Sequence, residues 1–422
     1  MTSMHASRQM LLSRENIELK ANSGRGMGLM ALGAICVVVT FVMSLMGNEE
    51  NHMTSVALHA FQVGMLVTIG FSTAALGATM IFHQFNAGWM GAMRRQFENV
   101  MSLVWVGALM FIISLVMQAI AASSQHVYLF HWMEMWADPS HRTELYEHKS
   151  GFLNLPFFLI RALFYFAVWF GLTRLLWSYS IKQDQDGDRW HSAHARKLSA
   201  PGIVLWGFTV AFAGFDWLMA LDYHWFSTML GVYFFAGNML SMWALTALIF
   251  VSLRSVGRLS GVYTNEHLHD HGKLMFAFVV FWAYITFSQY FLIWYANIPE
   301  ETTFFIIRKA DGTLWQTLSW VIPIGHFIAP FVILMARPAK RSFKLIAVMA
   351  IFLIGMHIID LYWMVRPQAG LELPAFTWLD VVGIAGPVLF FAGALVRKIG
   401  SGPLVGIHDP RLEEALHHKN YV

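Results

Sequence analysis

Ten long apolar runs divide this chain, at roughly residues 27–46, 55–83, 101–121, 152–180, 203–222, 229–253, 274–297, 314–336, 343–365 and 377–398. Polar connections separate them. About 20 apolar residues carry a helix across a ~30 Å hydrocarbon core. Lipid offers no partners to backbone N–H and C=O groups, so runs of this length must be helices. The pattern predicts an all-α polytopic membrane protein with ten transmembrane helices. Residues 1–26 and 399–422 read as tails flanking a transmembrane domain at 27–398, and 122–151 reads as a long external loop.

Charge orients the spans. The N-terminus, 85–100, 181–202, 252–273, 337–344 and the C-terminal segment together carry 21 of the Lys and Arg residues. The alternate connections, at 47–54, 122–151, 223–228, 298–313 and 366–376, carry five. Positive residues stay on the cytoplasmic side, so both termini are expected there, as an even number of spans requires.

Composition narrows the chemistry. Charged residues make up 13% of the chain, half the ~25% usual in soluble domains. The one cysteine, Cys36, lies in the first apolar run. That excludes a disulfide, an iron–sulfur cluster or a zinc–cysteine site within this chain. There is no Cys-x-x-Cys-His for covalent haem and no phosphate-binding loop for an ATP-driven pump. The polar N-terminus is too long for a standard signal peptide, so the first run reads as a retained helix. Neither a nucleic-acid partner nor a metal site is expected. The four histidines of the 122–151 loop (His126, His131, His141 and His148) lack regular ligand spacing. That loop is rich in aromatics, which suits docking to an external partner.

Ionisable residues inside apolar runs are costly and usually face the bundle interior. Arg161 lies about nine residues into span four, ~14 Å deep at 1.5 Å per residue, and needs an internal anion. Asp216 lies in span five, six residues before Asp222. Asp222 and His224 belong to the external turn. Span seven has Gln289, Tyr290, Tyr295 and Asn297 in its outer half. His326 stands between Pro323 and Pro330, where a helix is expected to break. His357 and Asp360 are three apart in span nine and share one face. His59 and Asp380 sit near span ends and read as solvated, and His83 and Arg174 as interfacial. An Arg161–Asp216 pair has a plain structural reading, mutual neutralisation. A haem b held by His326 and His357 is geometrically possible, but the paired histidines on two spans typical of cytochrome b are absent.

Most of these groups fall in the middle or external half, which suits quinol chemistry with proton release outward. The expected arrangement is a proton-accepting chain of Asp216, His326, His357 and Asp360, with Arg161 holding carboxylates ionised and Asp222 and His224 at the exit. A secondary transporter also uses intramembrane charges and broken helices, but no inverted repeat is visible and the polar groups are biased to one side. A purely structural scaffold is the third reading.

Two stretches carry a resemblance: FAGFDWLMALDYHWFSTMLGVYFFAG (Phe212 to Gly237) and FSQYFLIWYANIPEET (Phe287 to Thr302). They resemble the NrfD/PsrC-like family of membrane subunits, in the branch found in bacterial alternative complex III. The motifs span about 40 residues, and the ten-span layout extends the likeness over nearly the whole chain. The resemblance implies two four-helix bundles, spans two to five and six to nine, with spans one and ten outside. It implies a bacterial inner-membrane quinol:cytochrome c oxidoreductase that uses menaquinol. Its partners would be a paralogous membrane subunit, multihaem and monohaem cytochromes c and an iron–sulfur subunit. Haem c and the clusters would reside in those partners, with no redox centre in this chain. The resemblance assigns no quinol ligand here, so the candidate residues rest on the intramembrane polar groups alone.

Overall fold

The computed structural model describes residues 9–19, 23–47 and 52–420. Parts of the expected N-terminal tail (1–8 and 20–22), residues 48–51 of the 47–54 connection and residues 421–422 lie outside the described residues. Among the described residues, ten helices are long and apolar enough to cross a membrane: α1 (Gly24–Leu45), α2 (Met53–Phe85), α3 (Arg94–Gln125), α4 (Leu155–Asp186), α5 (Arg189–Leu221), α6 (Leu230–Ser255), α7 (Asn265–Ala296), α8 (Leu314–Met335), α9 (Phe343–Ala369) and α10 (Trp378–Ile399). The described residues contain no strand, only a single bridge between Glu18 and Pro403.

Helix neighbours form the two expected bundles. In the first, α2 packs on α3 and α5, and α4 on α5 and α3. In the second, α6 packs on α7 and α9, and α8 on α7 and α9. Contacts of α6 with α2 and α5, and of α9 with α2, join them. Helices α1 and α10 pair outside, against α2. Their closeness depends on small residues, as is usual where helices meet in lipid. A Cβ on Gly33 would lie 2.4 Å from the Phe390 nitrogen, and one on Gly393 2.5 Å from the Met30 nitrogen.

Many helices outrun their apolar runs, because charged ends continue the helix beyond the hydrocarbon. One such extension covers residues 94–100, expected as part of a cytoplasmic connection. They form a buried helical start to α3. Arg94 meets Glu98 at 3.0 Å and Asp409 at 2.8 Å, Arg95 pairs with Asp184, and the Ser180 hydroxyl donates to Glu98 at 2.6 Å. Reciprocal pairing makes burial of these charges tolerable. Both described end segments lie on this face: Leu404 N–H donates to the Ile17 carbonyl at 2.7 Å, and Leu259 N–H to the Asn16 carbonyl at 2.9 Å. We call it the terminal face and its opposite the loop face.

The 122–151 loop also differs from expectation. It folds into short helices at His131–Ala137 and Glu144–Lys149. Trp132 and Tyr146 are fully buried, and Phe130 and Trp132 pack on Phe158 of α4. Much of the aromatic content is therefore directed onto the chain's own bundle. Lys149 anchors the loop by donating to the Tyr223 carbonyl at 2.6 Å. Burial lowers the pKa of its ammonium, opposed by the field of Asp222.

Candidate functional site

The intramembrane polar residues separate into two clusters, one in each bundle. In the first, Asp216 of α5 is fully buried. Arg161 of α4 grips it with Nη2 at 2.6 Å from Oδ1 and Nε at 2.9 Å from Oδ2. The Tyr165 hydroxyl, one turn along from Arg161, donates to Oδ2 at 2.7 Å. Nη1 donates to the Phe152 carbonyl at 2.9 Å, and the guanidinium lies over the rings of Phe152 and Phe157, at 3.8 and 4.4 Å. Helix α4 begins at Leu155, so Arg161 lies ~9 Å along it, shallower than the sequence suggested. The carboxylate faces a permanent cation and a phenol, and both of its oxygens are bonded.

The second cluster has different chemistry. The chain between Pro323 and Ile328 forms a π-helical turn, an irregularity often found at functional sites. It holds His326 fully buried inside the second bundle. The His326 ring lies 4.1 Å from the Trp282 ring and 6.4 Å from that of His357, centroid to centroid. Asp360, one turn beyond His357 on α9, comes to 4.0 Å from His326 Nδ1. Tyr233 of α6 donates its hydroxyl to Asp360 Oδ1, and Trp282 of α7 its indole N–H to Oδ2 at 3.3 Å. None of the four ring nitrogens of His326 and His357 has a hydrogen-bond partner among the described residues. No Arg or Lys forms an ion pair with Asp360 there. Both clusters bury an aspartate bonded to a tyrosine, but one is locked by a guanidinium and the other is flanked by imidazoles.

The single chain of Asp216, His326, His357 and Asp360 is therefore not what the fold assembles. His326, His357 and Asp360 come together. Asp216 bonds to Arg161 and Tyr165, and no hydrogen bond or ion pair joins it to the histidines among the described residues. Among the described residues, Arg161 correspondingly pairs with one carboxylate, that of Asp216. Asp222 and His224 are adjacent at the loop face, with His224 N–H donating to Asp222 Oδ1 at 3.0 Å and the imidazole 60% exposed.

His59 and Asp380 are buried rather than solvated. His59 bonds the Ser55 carbonyl through Nδ1 at 2.7 Å, and its Nε2 has no partner among the described residues. Asp380 accepts from Arg366 Nε at 2.7 Å and from the Thr377 N–H at 2.7 Å, capping α10. Arg308, in the short helix Pro299–Arg308, is fully buried as well. It donates to the Trp363 and Met364 carbonyls near the α9 end, at 3.0 and 2.8 Å. Burial pushes its guanidinium down to about 9, against the field of Asp222. It remains charged at neutral pH. Among the described residues, no group of three or more His, Cys, Asp or Glu is placed to hold a metal.

Sequence reasoning missed Tyr165, Tyr233, Trp282, Arg308 and Arg366. Tyr165 had a usable signal, four residues after a buried arginine on the same helix face. Tyr233 and Trp282 looked like ordinary aromatics in apolar runs. Arg308 and Arg366 lay in connections where exposure is the usual state.

The fold and the clusters define a polytopic all-α membrane protein with ionisable groups buried in both of its bundles. No protein-family model matches the chain, and no curated protein matches it in sequence.

Proposed function

We propose that this chain is the ActF-type membrane subunit of a bacterial alternative complex III. It lies in the inner membrane with its terminal face cytoplasmic and its loop face periplasmic. There it contributes to menaquinol oxidation or to the proton movement coupled to it, and to docking of periplasmic redox subunits. The observation that carries this is the His326–His357–Asp360 trio. An imidazole nitrogen can accept a proton and pass it on, and these two rings are buried beside a carboxyl whose hydrogen-bond donors among the described residues, Tyr233 and Trp282, are both neutral. A quinol gives up two electrons and two protons when oxidised. The electrons would pass to haem c and iron–sulfur groups of partner subunits, among them the paralogue ActC and the cytochromes. The trio would accept and relay protons, with Asp222 and His224 at the loop face as the outlet.

The Arg161–Asp216 pair supports a second, structural role within the same reading. A permanent ion pair with both carboxylate oxygens bonded is suited to holding α4 on α5, and the first bundle then acts as scaffold. A secondary transporter is the competing class, and purification separates the two: a stable complex with multihaem cytochromes favours the respiratory reading.

The test is His357→Ala and Asp360→Asn in the assembled complex, with quinol oxidation and proton release measured together. Loss of either activity at wild-type subunit abundance is expected. Unchanged oxidation and unchanged proton release in both variants would overturn the proposal, and loss of abundance alone would reduce the chain to a scaffold.

A further inference from the structure

A cavity of about 580 Å³ opens at the terminal face, and no residue of either polar cluster lines it. The end of α2, the turn Gly88–Ala92, the start of α5 and the segment Asp409–Glu414 wall it. The last segment seats closely because Gly88 and Gly91 face it. A Cβ on Gly88 would collide with the Glu414 carboxylate, and one on Gly91 would press on the Arg411 backbone at 3.0 Å.

The lining carries five cationic side chains and two carboxylates. Both carboxylates are engaged: Asp409 with Arg94 at 2.8 Å, and Glu414 with Arg411 at 3.5 Å. Arg189, Arg196 and Lys197 have no ion pair and no side-chain hydrogen bond among the described residues. They are seven and eight residues apart on α5, so they share one face of the helix. The cavity therefore holds three uncompensated positive charges.

Its depth is set by the helix that carries them. The 33 residues from Arg189 to Leu221 make a helix of ~50 Å, against ~30 Å of hydrocarbon and ~40–45 Å with the headgroups. The first turns of α5 must then stand in the headgroup layer. Phe85 and Trp190, 80% and 50% exposed, adjoin the lining in sequence, as aromatics do at an interface. Farther along α5, Val204, Leu205 and Phe208 are exposed, an apolar surface for acyl chains below a cationic pocket.

From this geometry we infer that the cavity binds a phosphate-bearing anion, the headgroup of an anionic phospholipid, between Arg189, Arg196 and Lys197. Basic pockets between transmembrane helices recognise such groups, and the volume is in the range of small-ligand sites.

The experiment uses the purified full chain in detergent, with lipid binding followed by native mass spectrometry. Phosphatidylglycerol, phosphatidylcholine of the same chain length, glycerol 3-phosphate and inorganic phosphate are the probes. The variant is Arg189→Gln/Arg196→Gln/Lys197→Gln, on exposed positions. A charge-matched control, Arg25→Gln/Arg337→Gln/Lys344→Gln, lies away from the cavity. Phosphatidylglycerol binding is expected to weaken at least about tenfold in the cavity variant and to be unchanged in the control, with phosphatidylcholine binding weakly to all three proteins. Equal binding of glycerol 3-phosphate or inorganic phosphate would reject the lipid as source. Wild-type phosphatidylglycerol binding by the cavity variant, or an equal loss in the control, would overturn the site itself.

Discussion

Asp216→Asn isolates the charge at the centre of the first bundle while keeping the side chain's shape. The substituted side chain would retain one acceptor oxygen but place an amide where a carboxylate now receives Arg161 and Tyr165. Breaking a buried ion pair by removing one partner costs about 3–5 kcal/mol, because the remaining charge is orphaned. Here the guanidinium keeps the Phe152 carbonyl and two aromatic faces. A cation over a ring contributes on the order of 1–2 kcal/mol when desolvated, so the low end, about 3 kcal/mol, is expected. The double variant Arg161→Met/Asp216→Leu removes both charges and should lose less than either single variant, since well-packed apolar replacements of buried pairs are often neutral. SDS-driven unfolding in mixed micelles measures both effects. Trp217 adjoins Asp216 and lies 5.9 Å from the Tyr165 ring, giving a local fluorescence probe. A stability within about 0.5 kcal/mol of wild type for Asp216→Asn, below the range for any buried pair, would refute the argument. So would a double variant as unstable as the two singles combined.

Other consequences follow from the same packing. Arg366→Gln strands the fully buried Asp380 and should cost about 3–5 kcal/mol in the same unfolding assay, whereas Arg174→Gln, on an exposed position, should be near neutral. Gly33→Leu forces a side chain into the Phe390 backbone and should separate α1 from α10. The expected readout is faster proteolysis of α1, with a stability loss of about 1–3 kcal/mol or more from overpacking. The orientation is checked with single cysteines, after replacing Cys36, at the exposed positions Ser140 and Ser401. A membrane-impermeant maleimide added to intact cells whose outer barrier has been opened should label the cysteine at 140 and leave that at 401 unlabelled. The reverse pattern would invert the topology.

Much of this molecule was legible in its linear order. Apolar run length alone determined that ten helices cross the membrane, because a bilayer has one thickness and leaves the backbone no other partner. Rare ionisable residues in those runs marked the buried polar positions, since only an interior partner makes them tolerable. Pro323 and Pro330 marked the break at His326. The sequence could not say which helix is core. Helix α2 is 89% buried across its most apolar stretch and α1 22%, although α1 is the more apolar of the two. Hydropathy measures transfer out of water, and lipid tails and protein interior are equally apolar to it. Nor could it divide the polar residues between two bundles or turn the 122–151 aromatics inward. Those outcomes depend on how each helix is rotated and which neighbour it meets. The buried charges of Arg161 and Asp216 already suggested their pairing, but tertiary packing alone added Tyr165 to that pair and brought His326, Tyr233 and Trp282 to Asp360.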